Sequence, residues 1–179
     1  AGAAPQTLKN SAGVSLMFRF IAALVLALAF AVPATAQEAK RGLTPVTGDT
    51  YRWQNNFHYS FVVKTEVGIV VVDPINEGSA AALKDEIAKR FNQPVIALIY
   101  SHSHGDHASG GKTLDAALAI AQENAPADID GVTPDIRFGD RMSMNLGGKT
   151  FELNWLGKGH GEDLIAVIGG ASGSLIGML

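Results

Sequence analysis

The sequence predicts an α/β fold, because strand and helix patterns alternate along its central part. Residues 69–73 form a largely β-branched apolar run that stops before Pro74, as expected of a buried strand. Between residues 79 and 91, apolar residues recur at near-helical spacing among charged ones, which predicts a surface helix with Ser79 as its N-cap. Residues 95–100 form a second apolar run, so the three segments make a strand, helix, strand unit. The loop after such a unit lies at the carboxyl edge of the sheet.

The segments around this unit add short strands. Two strands are expected before it, at residues 51–53 and 59–63. A short helix is expected to begin near residue 110, whereas residues 119–124 fit either a strand or the end of that helix. Glycine-rich turns then separate further predicted strands at residues 137–138, 142–146, 150–156, 164–168 and 175–179.

The N-terminal part is expected to precede the folded domain. Residues 1–16 show no periodicity and are interpreted as an upstream extension. Residues 17–36 combine a positively charged start, twelve apolar residues and small residues up to Ala36, which is typical of a secretory signal peptide cleaved after Ala36. Twelve helical residues reach about 18 Å, short of the ~30 Å hydrocarbon core, so no stable membrane anchor is expected; the alternative is a buried core helix. Residues 37–50 are interpreted as a polar leader to a domain spanning residues 51–179.

Composition limits the kinds of function. The chain has 179 residues, of which 47% are hydrophobic and 17% charged, as in a globular domain. It contains no cysteine, which excludes disulfides, thiolate ligands and a cysteine nucleophile within this sequence. Residues 37–179 carry 12 basic and 17 acidic residues, a net charge of −5. No basic stripe is available for a nucleic-acid backbone, so the expected partner is a small molecule.

A histidine cluster follows the strand at residues 95–100. Three of the five histidines lie within residues 102–107. Residues two apart in extended backbone point the same way, so His102, His104 and Asp106 can converge, while His107 requires a bend that Gly105 can supply. Imidazole and carboxylate suit zinc and comparable divalent ions. The alternative interpretation is a solvated polar loop.

His160 is the second candidate region. Glycines on both sides let the backbone bring its imidazole close to another element, although only the fold can join it to the cluster. As a third ligand it would complete a site of His102, His104 and His160 that keeps one coordination position open, as catalytic zinc does. The alternative is a solvent-exposed loop histidine.

Two glycine-lysine-threonine segments resemble the end of a nucleotide-binding loop. The position six residues before the lysine is Asp106 in one and Ser143 in the other, whereas the motif requires glycine. Both segments are therefore interpreted as turns.

The His-x-His-x-Asp-His motif after a buried strand resembles the signature of the metallo-β-lactamase-fold hydrolase superfamily. The resemblance runs from about Tyr51 to the end of the chain and includes residues 68–74 and 157–163. It implies a four-layer αββα sandwich, with two sheets between helices, whose second half is expected to be truncated here. It also implies that a bridging aspartate and a last histidine lie beyond Leu179.

The resemblance assigns expected roles to individual residues. It implies one or two zinc ions, or other divalent metals, with the first on His102, His104 and His160. Asp106 and His107 would hold the second metal, and Asp106 would also orient the attacking hydroxide; the alternative is that Asp106 caps the following helix. Asp73 would support the metal loop without binding metal.

His58 is interpreted as surface packing, although the family often has a loop over the pocket at this place. The expected function is that of a secreted or periplasmic zinc-dependent hydrolase acting on an ester, thioester, lactam or related bond. The alternative is a metal-binding protein without turnover, or an inactive fragment of such a hydrolase. The sequence leaves the oligomeric state open.

Overall fold

Two β-sheets lie face to face in the computed structural model of the chain, which describes Gly2, residues 38–169 and residues 174–177. Apart from Gly2, the expected extension and signal peptide lie outside these residues. The helices are α1 (Glu77–Phe91), α2 (Gly105–Ala108) and α3 (Gly111–Leu114). The strands are β1 (Arg41–Thr47), β2 (Thr50–Asn55), β3 (His58–Lys64), β4 (Ile69–Val72), β5 (Val95–Ile99), β6 (Ala119–Gln122), β7 (Ile136–Phe138), β8 (Arg141–Leu146), β9 (Lys149–Trp155), β10 (Ile165–Gly169) and β11 (Ser174–Gly177). No helix within the described ranges is long and apolar enough to cross a membrane.

The larger sheet has seven strands in the order β1 to β7, and the smaller sheet has the order β11-β10-β9-β8. Pairing is antiparallel from β1 to β4 and parallel from β4 to β7. The predicted strand, helix, strand unit is β4-α1-β5. Because β4, β5 and β6 are parallel, the loops that follow them share one edge of the sheet, called here the carboxyl edge.

The two faces of β4 explain why its sequence is apolar throughout. Val71 packs with Leu83 of α1 in one hydrophobic cluster, whereas Val70 packs with Phe151 of the smaller sheet in another. A strand covered on both faces carries apolar residues at consecutive positions. All three described helices contribute to the first cluster. The structure thus contains three layers of the predicted αββα sandwich, and no helix among residues 38–169 covers the outer face of the smaller sheet.

Two local expectations are revised, and one alternative that the sequence left open is decided. Residues 41–47, expected to be a leader, form β1, in which Leu43 is buried opposite Trp53 and Pro45 is accommodated on an edge strand. The N-cap of α1 is Asn76, whose side chain accepts from the backbone of Ser79 at 2.9 Å. Residues 119–122 form a strand rather than the end of a helix, because all four residues are buried beside β5.

Candidate metal centre

The carboxyl edge collects the polar residues that the sequence singles out. The histidine cluster follows β5, and Asp73 follows β4. His160 lies in the loop between β9 and β10, in the other sheet. The backbone N–H of Ile165 donates to the carbonyl oxygen of Ser101 at 2.9 Å, which ties the start of β10 to the end of β5. This link brings the His160 loop to the histidine cluster.

His102, His104 and His160 form the first group of converging donors. Their ligand atoms all lie within 4.8 Å of one another, and Nδ1 of His104 is 3.1 Å from Nε2 of His160. Two nitrogens bound to one tetrahedral zinc ion are about 3.3 Å apart. A Cβ placed on Gly161 would lie 3.8 Å from Nε2 of His104, an ordinary van der Waals distance, so the His160 loop packs directly against the histidine cluster. The three side chains can therefore hold one divalent ion.

His102 is fully buried, and its tautomer follows from its neighbours. The Ser101 hydroxyl donates to Oδ2 of Asp73 at 2.5 Å, so its oxygen accepts from Nδ1 of His102 at 2.9 Å. Nε2 then carries the lone pair, and it is buried with no hydrogen-bond partner within the described part of the chain. Burial is the main cause that lowers the pKa of His102, and the neighbouring histidines add to it against the opposing carboxylate of Asp73. The neutral ring with a free nitrogen is the form that binds metal.

Asp73 has the geometry of a residue that supports the loop. Its carboxylate accepts from both the backbone N–H and the hydroxyl of Ser101, at 2.7 and 2.5 Å, and it is 4% exposed. Its backbone has a φ of 64°, which is unusual for a residue other than glycine and places the carboxylate under the β5 loop.

Asp106 and His107 belong to a second group, which also contains His58. Oδ2 of Asp106 is 3.2 Å from Nε2 of His58 and 4.0 Å from Nε2 of His107. The expected bend before His107 is present as the helical turn α2. Gly105 lies in this turn but does not have a positive φ. The N-caps of α2 and α3 are His104 and Gly110, neither with a side-chain cap, so Asp106 does not cap the following helix.

The charges of this second group are set by its contacts. Nδ1 of His107 is 3.7 Å from Oδ2 of Asp73, and attraction to that carboxylate raises the pKa of His107 although burial opposes it. Desolvation alone would raise the pKa of Asp106. Its backbone hydrogen bond and the contacts with His58 and His107 outweigh that effect, so the pKa of Asp106 lies below its ordinary value. Asp106 is therefore an ionised carboxylate at neutral pH.

Sequence reasoning interpreted His58 as surface packing and did not place it beside Asp106 and His107. The residue opens β3 directly after a two-residue turn, and Asn55 is its partner across the hairpin. Because β3 runs antiparallel to β4, the start of β3 lies beside the end of β4, at the carboxyl edge. Strand order in the sheet was the signal that could have found it.

Known proteins provide an independent comparison. The sequence model of the Metallo-beta-lactamase superfamily matches residues 53–178. The metallo-beta-lactamase type 2 of Elizabethkingia meningoseptica is 30% identical over 133 residues, which cover 66% of this chain and 51% of that protein. The alpha subunit of 2,4-dinitroanisole O-demethylase from Nocardioides sp. (strain JS1661) is 28% identical over 73% of this chain and 43% of its own length.

A third relative has a different named activity. The hydroxyacylglutathione hydrolase of Francisella tularensis subsp. novicida is 30% identical over 62% of this chain and 42% of that protein. The chain thus spans about half, or less, of the length of these curated relatives.

The fold has solved counterparts. A metallo-beta-lactamase from Pontibacter korlensis superposes with a TM-score of 0.64 at 21% identity, over 72% of this chain and 66% of that one. This likeness confirms the predicted fold, and the sequence match over most of the chain establishes the family. The chain belongs to the metallo-beta-lactamase superfamily.

Proposed function

We propose that this protein is a zinc-dependent hydrolase whose metal is held by His102, His104 and His160. The observation that carries the proposal is the convergence of three imidazoles, one of which presents a buried nitrogen that has no partner among the residues described. A buried polar atom without a hydrogen bond costs about 1–3 kcal/mol, and a ligand that bonds to it removes that cost. Superfamily membership supports the same conclusion.

The residues of this chain would have separate roles in the proposed reaction. A divalent ion held there supplies Lewis acidity, which polarises a carbonyl or phosphoryl oxygen and makes water acidic near neutral pH. Asp106 remains ionised, so its carboxylate accepts a hydrogen bond from the attacking water and orients it. Neutral His102 keeps its ring fixed through Ser101 and Asp73, so the donor set needs little rearrangement on binding.

The proposed substrate is a small molecule with an ester, thioester, lactam or related bond. The relatives include a β-lactamase, a hydroxyacylglutathione hydrolase and an O-demethylase subunit, so proteins similar to this chain act on several bond types. The signal-peptide-like pattern of residues 17–36 supports a proposed secreted or periplasmic location for this activity.

The test combines metal analysis with a substrate panel. Purified protein is loaded with zinc and assayed on a lactam, a thioester and an aryl ester, beside His104→Ala. The matched control is Glu152→Ala, an exposed change on β9 away from the centre. Turnover that disappears in His104→Ala and under chelation, but persists in the control, is the expected result. Turnover that survives both treatments would refute the proposal, and stoichiometric metal with no turnover would favour the non-catalytic alternative.

A further inference from the structure

We infer that His58 is a metal ligand, and that it forms a second, three-donor metal site with Asp106 and His107. The inference rests on the proposed function, because it assigns a second ion beside the first. It changes the interpretation of His58 from surface packing to binding.

The distances support a shared ion. Nε2 of His58 and Nε2 of His107 lie 3.2 and 4.0 Å from the same carboxylate oxygen of Asp106, and all three ligand atoms fit within 4.8 Å. Donors around one ion at about 2.0–2.2 Å are separated by about 3.0–3.5 Å. A small inward movement of His107 would therefore close the ligand triangle.

The orientation of the rings supports the same site. His58 and His107 meet edge to face, with ring centroids 5.4 Å apart at 75°. Nε2 of His107 faces Asp106, whereas its Nδ1 faces Asp73. Metal-bound histidines commonly direct their second nitrogen at a carboxylate in this way.

The hairpin that carries His58 gives it a fixed position. Asn55, its cross-strand partner, is buried and accepts from Nε of Arg41 at 2.8 Å. The turn between them contains Asn56 at a φ of 57°, as expected in a tight hairpin. A ligand on a rigid hairpin loses little conformational entropy when it binds.

A hydrogen bond to Asp106 alone is a weaker explanation. The side chains of His58 and Asp106 are 38% and 62% exposed, and exposed ion pairs contribute about 0–1 kcal/mol. Such a pair gives no reason for His107 to join them. Two imidazoles and one carboxylate are donors that suit zinc and comparable divalent cations, and three protein donors leave a coordination position open to solvent.

The experiment counts ions rather than turnover. Metal-free purified protein is titrated with Co²⁺ while visible absorption is recorded, and bound zinc is measured by elemental analysis. Wild-type protein is expected to take up two equivalents. His58→Ala should keep the first and bind the second on the order of 100-fold more weakly, because one of three protein donors is lost.

Two variants make the result specific. Phe57→Ala alters the neighbouring exposed residue of the same turn and should keep both equivalents. His58→Gln retains a donor for Asp106 but offers no imidazole, so it should behave like His58→Ala. Restored second-site affinity in His58→Gln would mean that His58 only positions Asp106 and would overturn the inference.

The remaining outcomes separate the two proposals. Two equivalents with unchanged affinity in His58→Ala would overturn the role of His58 and leave the hydrolase proposal intact. One equivalent in wild-type protein would overturn the second site alone. No bound metal in wild-type protein would overturn both.

Discussion

The two edges of the larger sheet differ in how fully their polar groups are hydrogen-bonded. At the amino edge, where β4 and β5 begin, the groups satisfy one another. Nζ of Lys149 donates to Oδ2 of Asp49 at 2.9 Å, and the hydroxyl of Thr65 donates to the carbonyl of Gly68 at 2.7 Å. Among the described residues of this edge, the buried side-chain oxygen of Gln93 is the exception.

At the carboxyl edge, several buried polar atoms lack hydrogen-bond partners among the described residues. Nε2 of His102, Nδ1 of His107 and the hydroxyl of Tyr100 are buried without hydrogen-bond partners in the described ranges. Each such atom costs about 1–3 kcal/mol unless something binds it. Polar groups at the amino edge are thus largely hydrogen-bonded to one another. At the carboxyl edge, the proposed metal would bind Nε2 of His102, whereas Nδ1 of His107 faces the carboxylate of Asp73 at 3.7 Å. Four predictions follow from this division.

The largest effect is expected from His102→Leu at the carboxyl edge. Loss of the metal should lower turnover by about 10³-fold or more, since its Lewis acidity is worth several kcal/mol. The free energy of unfolding of the metal-free protein should stay within about 1 kcal/mol of wild type, because an unpaired buried nitrogen is replaced by an apolar group. Turnover, metal content and urea unfolding in chelator measure these effects, with Ile99→Leu on β5 as the control. A large loss of metal-free stability in His102→Leu alone would show that His102 is structural.

A change at the amino edge should have the opposite effect. Gly147 has a φ of 55°, and an added Cβ would lie 2.2 Å from the Thr65 hydroxyl oxygen. Gly147→Ala is expected to lower the free energy of unfolding by about 2–3 kcal/mol, with metal content per folded molecule unchanged. Gly48→Ala, at a φ of 50° with nothing within 4 Å of the added atom, isolates the part of the destabilisation that comes from backbone conformation alone. Loss of bound metal in folded Gly147→Ala would break the division between the edges.

The support of the metal loop should have an intermediate effect. Asp73→Asn weakens the contacts with Ser101 and removes the charge beside both buried histidines, so metal affinity should fall about 10–100-fold. The same change should lower the pKa of His107, because attraction to the Asp73 carboxylate is what raises it. Competition with a chromophoric chelator measures the affinity, and NMR titration of the metal-free protein measures the pKa. An unchanged affinity would mean that Asp73 serves only the fold.

The smallest effect is a difference in pH dependence between two metal-free variants. The pKa of His102 is lowered on folding, so its contribution to stability falls as the pH drops below about 6.5. The pKa of His107 is raised, so its contribution is present below about 6.5 and is lost as the pH rises through its folded value. Acidification from pH 8 to 5 should therefore favour His102→Leu and disfavour His107→Leu relative to wild type, so the two variants should differ in the sign of the change. Urea unfolding at the two pH values tests this, and shifts of the same sign would contradict it.

Local sequence patterns predict much of this molecule and fail where contacts are distant. The β4-α1-β5 unit and four donors of the 102–107 motif lie within short stretches whose spacing carries the information. β1 was missed because it is an edge strand with proline and glycine, in which Leu43 is the buried hydrophobic residue. His58 was missed because its place depends on which strands pair, and no local pattern encodes that pairing.

The two loops of the first donor set come from different sheets, and 56 residues separate His104 from His160. An ion bound by both loops would act as a reversible cross-link in a chain that has no cysteine. A covalent cross-link closing a loop of this size would contribute about 4 kcal/mol by restricting the unfolded chain. Metal binding would thus fix the two neighbouring loops relative to each other, and chelation would remove this restraint.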